Sequence, residues 1–365
     1  MVRKTTKKTA AAKPAKKAKP ANQKVAAKTS TKVAAKTTEK PVAPYAMVAE
    51  KAGGPSVFKK VPLELPKPKK GEVLIRHTAI GINFLDVYQR TGLYPLEFPT
   101  TLGNEGAGVV EALGAGVKGL KVGDRVAYVV NGGAYASHRI IAADRLVKIP
   151  PKVSDAEAAA AMLKGLTVQY LVNDCYKPKK GETVLFQAAA GGVGLIAGQW
   201  LKAIGVNAIG TAGGAAKCKL AKASGYTQVI DYRAKDFVAE VKRLTKGKGV
   251  PAVYDSVGKD TFPGSLQVLR KFGIYVLFGQ SSGVVTDFKL SDLAAGGSLF
   301  VTRPTLFHFI AERTDLERRA RQLFSMMSSG KVKIKVNQTF ALSDVAKAHK
   351  ALEARQTTGQ TVLIP

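Results

Sequence analysis

Residues 186–197 read FQAAAGGVGLIA, three alanines and then three glycines within four positions, in a chain otherwise crowded with lysine. The preceding run ETVLFQA reads as a strand and the following VGLIAGQWLKAIG as a helix. Ala189, Gly191 and Gly194 thus stand at the three marked positions of a G-x-G-x-x-G turn, with alanine in the first. Such a turn is tight, its backbone at Gly191 comes close to a pyrophosphate, and Gly194 lets the helix lie against the strand. Gly192 and Val193 open the helix, where free amides face an anion. Alone, the pattern also describes any tight strand-to-helix turn. The segments that follow, VNAIGTA, AAKCKLAKASG, TQVIDY, DFVAEVKRLTKG, PAVYDSVG, FPGSLQVLRKFG and IYVLFGQ, alternate strand-like and helix-like character, as a parallel doubly wound α/β sheet does. In that setting a dinucleotide site is the favoured reading.

The missing acid indicates which dinucleotide. A site for NAD carries Asp or Glu about 20 residues past the first glycine, to accept from the ribose 2′-hydroxyl. Here no acidic residue falls between Glu182 and Asp231, and the position near Thr211–Gly214 is small and neutral. Lys217 lies just beyond, and Tyr232 and Arg233 close the third strand. These groups suit a 2′-phosphate, so NADP is the expected cofactor. Lys217 as one solvated lysine among many is the plainer alternative.

Upstream, two blocks covering residues 46–92 and 106–150 interleave short β-branched runs with Gly and Pro, which predicts a small antiparallel barrel or sandwich. Ser154 followed by Glu157 marks a capping box and a helix start. The formal net charge is +31, and thirteen of the 57 Lys and Arg residues precede Tyr45 beside a single acid, Glu39. That stretch has no aromatic residue and is expected to be a disordered tail over 1–44. It lacks the apolar run of a secretory signal, and with one arginine and interrupting prolines it does not read as an Arg-rich mitochondrial presequence. A polycation of this kind attracts polyphosphate, so non-specific nucleic acid is one expected partner, a solubilising role the other reading. Cys175 and Cys218 form no metal-ligand or disulfide pattern, no stretch is long enough for a membrane span, and a cytoplasmic protein is expected.

The series AIGINFLDVYQRTGLYP, LGNEGAGVV, GDRVAY, LKGLTVQYL, AAAGGVGLIA, VIDYR, VYDSVG, FGQSSG and GSLFVTRP resembles, in order, the zeta-crystallin-type NADPH:quinone oxidoreductases of the medium-chain dehydrogenase/reductase superfamily. The resemblance spans roughly 45–365. It implies a GroES-like β-rich catalytic domain from 45–168 and 304–365, with a Rossmann NADP-binding domain, 169–303, inserted between them. It further implies hydride transfer from NADPH to a quinone, with an alkenal or enone as the alternative acceptor, and a homodimer built on the edge strand in GSLFVTRP. A second alternative is a nucleic-acid-associated protein whose reductase fold senses redox state. By resemblance Asn83 contacts nicotinamide or acceptor, and Tyr88 and Tyr94 wall the pocket. Cofactor contacts are likewise implied for Lys164 and Thr167, for Ser256, for Phe278 and Ser281, for Thr302 and Arg303, and for Arg355 near the phosphates. Zinc dehydrogenases of the same superfamily use a Cys and the His of a GHE motif; here the matching positions hold Asn83 and the GNE of Gly103–Glu105, so metal-free chemistry is expected.

Overall fold

The parallel sheet predicted from the alternating segments runs, across its width, Gln228–Asp231, Asn207–Ala212, Thr183–Phe186, Val250–Asp255, Leu269–Leu277, Phe300–Thr302. Every neighbouring pair is parallel, and the order reverses beside Thr183–Phe186, the first of these strands in the chain. Crevices for ligands open at such a reversal, beyond the carboxyl ends of the strands. The structure, a computed structural model, describes residues 43–365. The tail expected over 1–44 therefore lies outside the described residues, apart from its last two.

The first half forms a largely antiparallel sheet, with the path Val336–Ala341, Gln360–Ile364, Glu72–Gly81, Glu105–Leu113, Arg125–Val129, Val147–Lys148 and with His138–Ala142 paired to Glu72–Gly81. Its first two members come from the end of the chain, because Val362 and Leu363 pair antiparallel with Gly81 and Ile80. A smaller three-stranded sheet, Phe58–Pro62, Tyr45–Ala49 and Thr100–Thr101, packs beside it.

Asp155–Tyr170 is the helix announced by the capping box: Glu157 N–H donates to the Ser154 hydroxyl, and the Ser154 N–H to the Glu157 carboxylate. It is buried on most faces because it lies between the antiparallel sheet and the helices Gly192–Ala203 and Arg313–Ser328. One expectation needs correcting. FPGSLQVLRKFG is not one helical unit: the helix stops at Gln267, and the strand begins at Leu269. Phe272 there has φ +60° and is largely exposed, a bulge that neither periodicity signals.

Candidate active site

A cleft of about 1010 Å³ opens at the reversal of the parallel sheet. At its floor, Gly191 caps the helix Gly192–Ala203 with extended backbone. A Cβ on Gly194 would stand 2.5 Å from the Ala188 carbonyl, so that position requires glycine, whereas one on Gly192 would meet the Lys164 side chain at 2.7 Å and displace it. Gly191, Gly192, Val193 and Gly194 line the cleft. Ala189 does not; it is fully buried beneath the turn, where its N–H donates to the Thr211 carbonyl. Smallness there serves packing rather than contact.

Past the second strand, Gly213 closes against the third. A Cβ on Gly213 would lie 2.6 Å from the Tyr232 hydroxyl and 3.1 Å from Arg233 Nε. Lys217 and Tyr232 line the cleft, while Arg233 stands behind Gly213 and Gly214. Burial, then the Arg233 and Arg355 guanidiniums, pulls the Lys217 pKa below its usual range. The adjacent acid, Asp231, is held by the N–H groups of Gly214 (2.9 Å) and Arg233 (3.0 Å), which lower its pKa. A carboxylate committed to the loop in this way leaves the cations to attract an anion. Arg355 joins them from the C-terminal segment, and its carbonyl accepts from Lys217 Nζ at 3.0 Å.

The opposite end is aromatic. Tyr88 lies on the helix Phe84–Arg90; its ring centroid is 5.3 Å from that of Tyr94, and both line the cleft. The Gln280 N–H donates to the Tyr88 hydroxyl (3.3 Å), and Arg303 Nη2 to the Tyr94 hydroxyl (3.0 Å). Burial pushes the Tyr88 phenol up to about 12, so it stays protonated and can donate. Thr167, Ser256, Phe278, Ser281 and Arg303 complete this half of the wall. Thr302 does not line the cleft: it sits on the edge strand, one residue before the chain turns inward.

Asn83 and Lys164 share an anchor that motif reasoning passed over. The Glu105 side chain is wholly buried and accepts from Asn83 Nδ2 (2.8 Å), Lys164 Nζ (3.1 Å) and Leu163 N–H (2.6 Å). Lys164 Nζ also donates to the Ile82 carbonyl. A second buried cluster fixes the neighbouring helix: Asp86 accepts from the Asn83 N–H (2.8 Å), the Tyr135 hydroxyl (2.7 Å) and the Asn104 amide. Burial raises the Asp86 pKa to about 6. Tyr135 also meets His349 Nε2 at 3.0 Å, and Arg90 meets His349 Nδ1 and forms a two-pronged ion pair with Glu353. Because Tyr135 donates to Asp86, it must accept from His349, which places the imidazole proton on Nε2 and leaves Nδ1 to accept from Arg90. Nothing local in the sequence joins residues 86, 90, 135 and 349; only the fold does.

The family model described as alcohol dehydrogenase GroES-like domain matches residues 69–151, and one described as zinc-binding dehydrogenase matches 224–363. The Pseudomonas aeruginosa protein named quinone oxidoreductase is 48% identical over 315 residues, covering 86% of this chain and 97% of its own. Escherichia coli quinone oxidoreductase 1 is 47% identical over 319 residues, 86% and 98%. The solved structure of Escherichia coli quinone oxidoreductase complexed with NADPH superposes with a TM-score of 0.86 at 46% identity, covering 88% of this chain and all of that one. A Burkholderia 2-haloacrylate reductase is 41% identical over 328 residues, 88% and 98%.

The zinc in one family description does not fit these residues. At the matching positions Asn104 spends its amide on Asp86, Gln89 and the Gly132 N–H, and Glu105 is closed by Asn83, Lys164 and Leu163. An ammonium already pairs with the carboxylate a metal would need, and among the described residues no three His, Cys, Asp or Glu side chains converge. A dinucleotide does fit, since the cleft has its glycine cradle, helix start and cationic end in place. Fold, cleft and relatives agree: this chain belongs to the quinone oxidoreductase family of the medium-chain dehydrogenase/reductases.

Proposed function

We propose that this protein is an NADPH-dependent quinone reductase working without a metal. The observation that carries the reading is one continuous cleft joining the glycine turn and the Lys217 and Arg355 cations, with Arg233 behind Gly213, to the paired rings of Tyr88 and Tyr94. NADPH, when bound, supplies a hydride, and a quinone accepts one without Lewis-acid activation. The chain contributes binding and orientation. In this reading Gly191–Gly194 hold the pyrophosphate, the three cations with Tyr232 hold the 2′-phosphate, and Lys164, Thr167 and Asn83 set the nicotinamide end. Tyr88 and Tyr94 stack on the acceptor, with the Tyr88 hydroxyl directed by Gln280 as a donor toward developing oxygen charge. Ser256, Phe278, Ser281 and Arg303 wall the cofactor side. The nucleotide-binding unit is 169–303, inserted between 45–168 and 304–365.

The strand Phe300–Thr302 ends the parallel sheet with Phe300 and Val301 exposed, an unpaired edge that suits a second copy of the chain. A homodimer is accordingly proposed, tested by sedimentation. The likeness to the 2-haloacrylate reductase keeps conjugated carbonyls in the assay. The test is NADPH and NADH oxidation with 1,4-benzoquinone, 9,10-phenanthrenequinone and an alkenal, with and without EDTA. Chelator-insensitive, quinone-dependent oxidation of NADPH is expected. Faster turnover of the alkenal would transfer the proposal to enal reduction, and NADPH binding with no turnover of any acceptor would favour a sensing role.

A further inference from the structure

The cleft occupies the carboxyl ends of the parallel strands; their amino ends, on the far side of the sheet, gather a different chemistry. The chain enters the sheet through Lys222 before Gln228–Asp231, Lys202 before Asn207–Ala212, and Lys177, Lys179 and Lys180 before Thr183–Phe186. Next across the sheet come Lys246 and Lys248 before Val250–Asp255, then Arg270 and Lys271 at the start of Leu269–Leu277. All these cations are exposed. The loops that carry them abut: Gly181 N–H donates to the Gly205 carbonyl, a Cβ on Gly205 would touch the Lys180 stem, and one on Gly249 would lie 2.9 Å from Arg270 N. The acid among them, Glu182, is engaged by the Tyr176 hydroxyl, the Lys179 N–H and Arg270.

Helix dipoles explain part of this charge. Lys202 and Lys222 sit in the last turns of Gly192–Ala203 and Ala215–Ala223, where a cation is favoured. Lys177 and Lys246 each follow a helix C-cap, Tyr176 and Thr245, and share that effect. Lys179, Lys180 and Lys248 lie in loops and Arg270 and Lys271 on a strand, so no helix end accounts for these five. Five strand starts spaced about 4.8 Å apart spread the cations over about 19 Å. Over that distance double-stranded DNA presents roughly eleven phosphates, one per 1.7 Å of axis.

We propose that this edge is a second binding site, separate from the cleft, for the sugar-phosphate backbone of duplex DNA without sequence preference. A duplex fits better than a lipid surface because the array is broad and dominated by cations: nine Lys and Arg side chains face solvent here against two large exposed hydrophobics, Ile204 and Phe272, which sit in different loops. The inference does not rest on the reductase reading and differs from tail-driven binding, since it places the binding surface on the folded body.

The test uses the full chain and a mixed-sequence DNA duplex, with binding titrated over a series of salt concentrations. Two triple variants make the same change in charge: Lys179→Glu/Lys180→Glu/Lys248→Glu on the edge, and Lys13→Glu/Lys16→Glu/Lys17→Glu in the tail. The edge variant is expected to lower the slope of log affinity against log salt by about 2.7, since each phosphate no longer neutralised takes away about 0.9. It should weaken binding at least tenfold more than the tail variant while leaving NADPH oxidation unchanged. Equal weakening by both variants would overturn the site. So would wild-type protein that binds anionic phospholipid vesicles but not the duplex.

Discussion

Replacing Glu105 by glutamine tests whether the floor of the acceptor pocket is built as described. The carboxylate accepts from three donors, the Asn83 amide, the Lys164 ammonium and the Leu163 N–H, from a wholly buried position. Glutamine keeps one acceptor oxygen and turns an NH2 group toward donors, so at least one of the three loses its partner. The larger effect is on charge: Lys164, its side chain only 9% exposed, keeps an ammonium with no counter-ion. Breaking a buried pair from one side costs about 3–5 kcal/mol. With an unfolding entropy near 2.1 cal/mol/K per residue, a body of this size changes by about 0.7 kcal/mol per degree, so the melting midpoint should fall by about 4–7 °C. Adding Lys164→Met removes the orphaned charge, and the double variant should regain roughly half of the loss. Scanning calorimetry reads the midpoints, and NADPH titration reads the site. A midpoint for Glu105→Gln within about 1 °C of wild type, with unaltered kcat/KM, would refute the argument that this carboxylate organises the pocket.

Lys217→Ala should raise KM for NADPH about tenfold or more and leave that for NADH unchanged, the effect expected of removing one charge-assisted hydrogen bond to a 2′-phosphate; steady-state kinetics with both cofactors decides it. Gly194→Val should abolish binding of either dinucleotide, because its Cβ would enter the Ala188 carbonyl at 2.5 Å and force the helix off the strand; loss of NADPH fluorescence enhancement reports it, and retained binding would remove the turn from the site. His77 is buried between the Ala136 carbonyl and the Tyr128 hydroxyl, and burial lowers its pKa from 6.5 to about 3. The unfolded chain thus binds a proton that the fold refuses, so stability is full above pH 6.5 and declines as the pH drops toward 3. His77→Gln should flatten that decline by up to about 1.4 kcal/mol per pH unit, seen in denaturant melts between those limits. His349 acts in the same direction and keeps its share of the slope in that variant.

The glycine turn, Lys217 with Tyr232, and the Tyr88 and Tyr94 pair were legible as lining of the cleft because each depends on residues close in sequence. Secondary structure followed periodicity where segments were long, and failed at Leu269–Phe272, where a six-residue helix passes into a strand after a single residue. Sequence reasoning carried Ala189, Arg233 and Thr302 into the site although none of them lines the cleft, since spacing does not record which way a residue faces.

By itself the sequence determined the parallel sheet and the tight glycine turn that opens its first helix, because backbone geometry and the need for glycine are local properties. Only the tertiary structure decided what those parts are fastened to. Glu105 lies in the GNE motif, yet its role as common acceptor for Asn83 and Lys164 exists only once the helix Asp155–Tyr170 packs on the strand that carries it. Likewise the chain from Asp86 through Tyr135 and His349 to Arg90 and Glu353 joins residues more than 260 positions apart. The amino-end cations are scattered along the sequence and become one surface only because five strands start at the same edge. A buried charge must find its partner wherever the fold brings one, and that requirement acts through space, where sequence spacing carries no information.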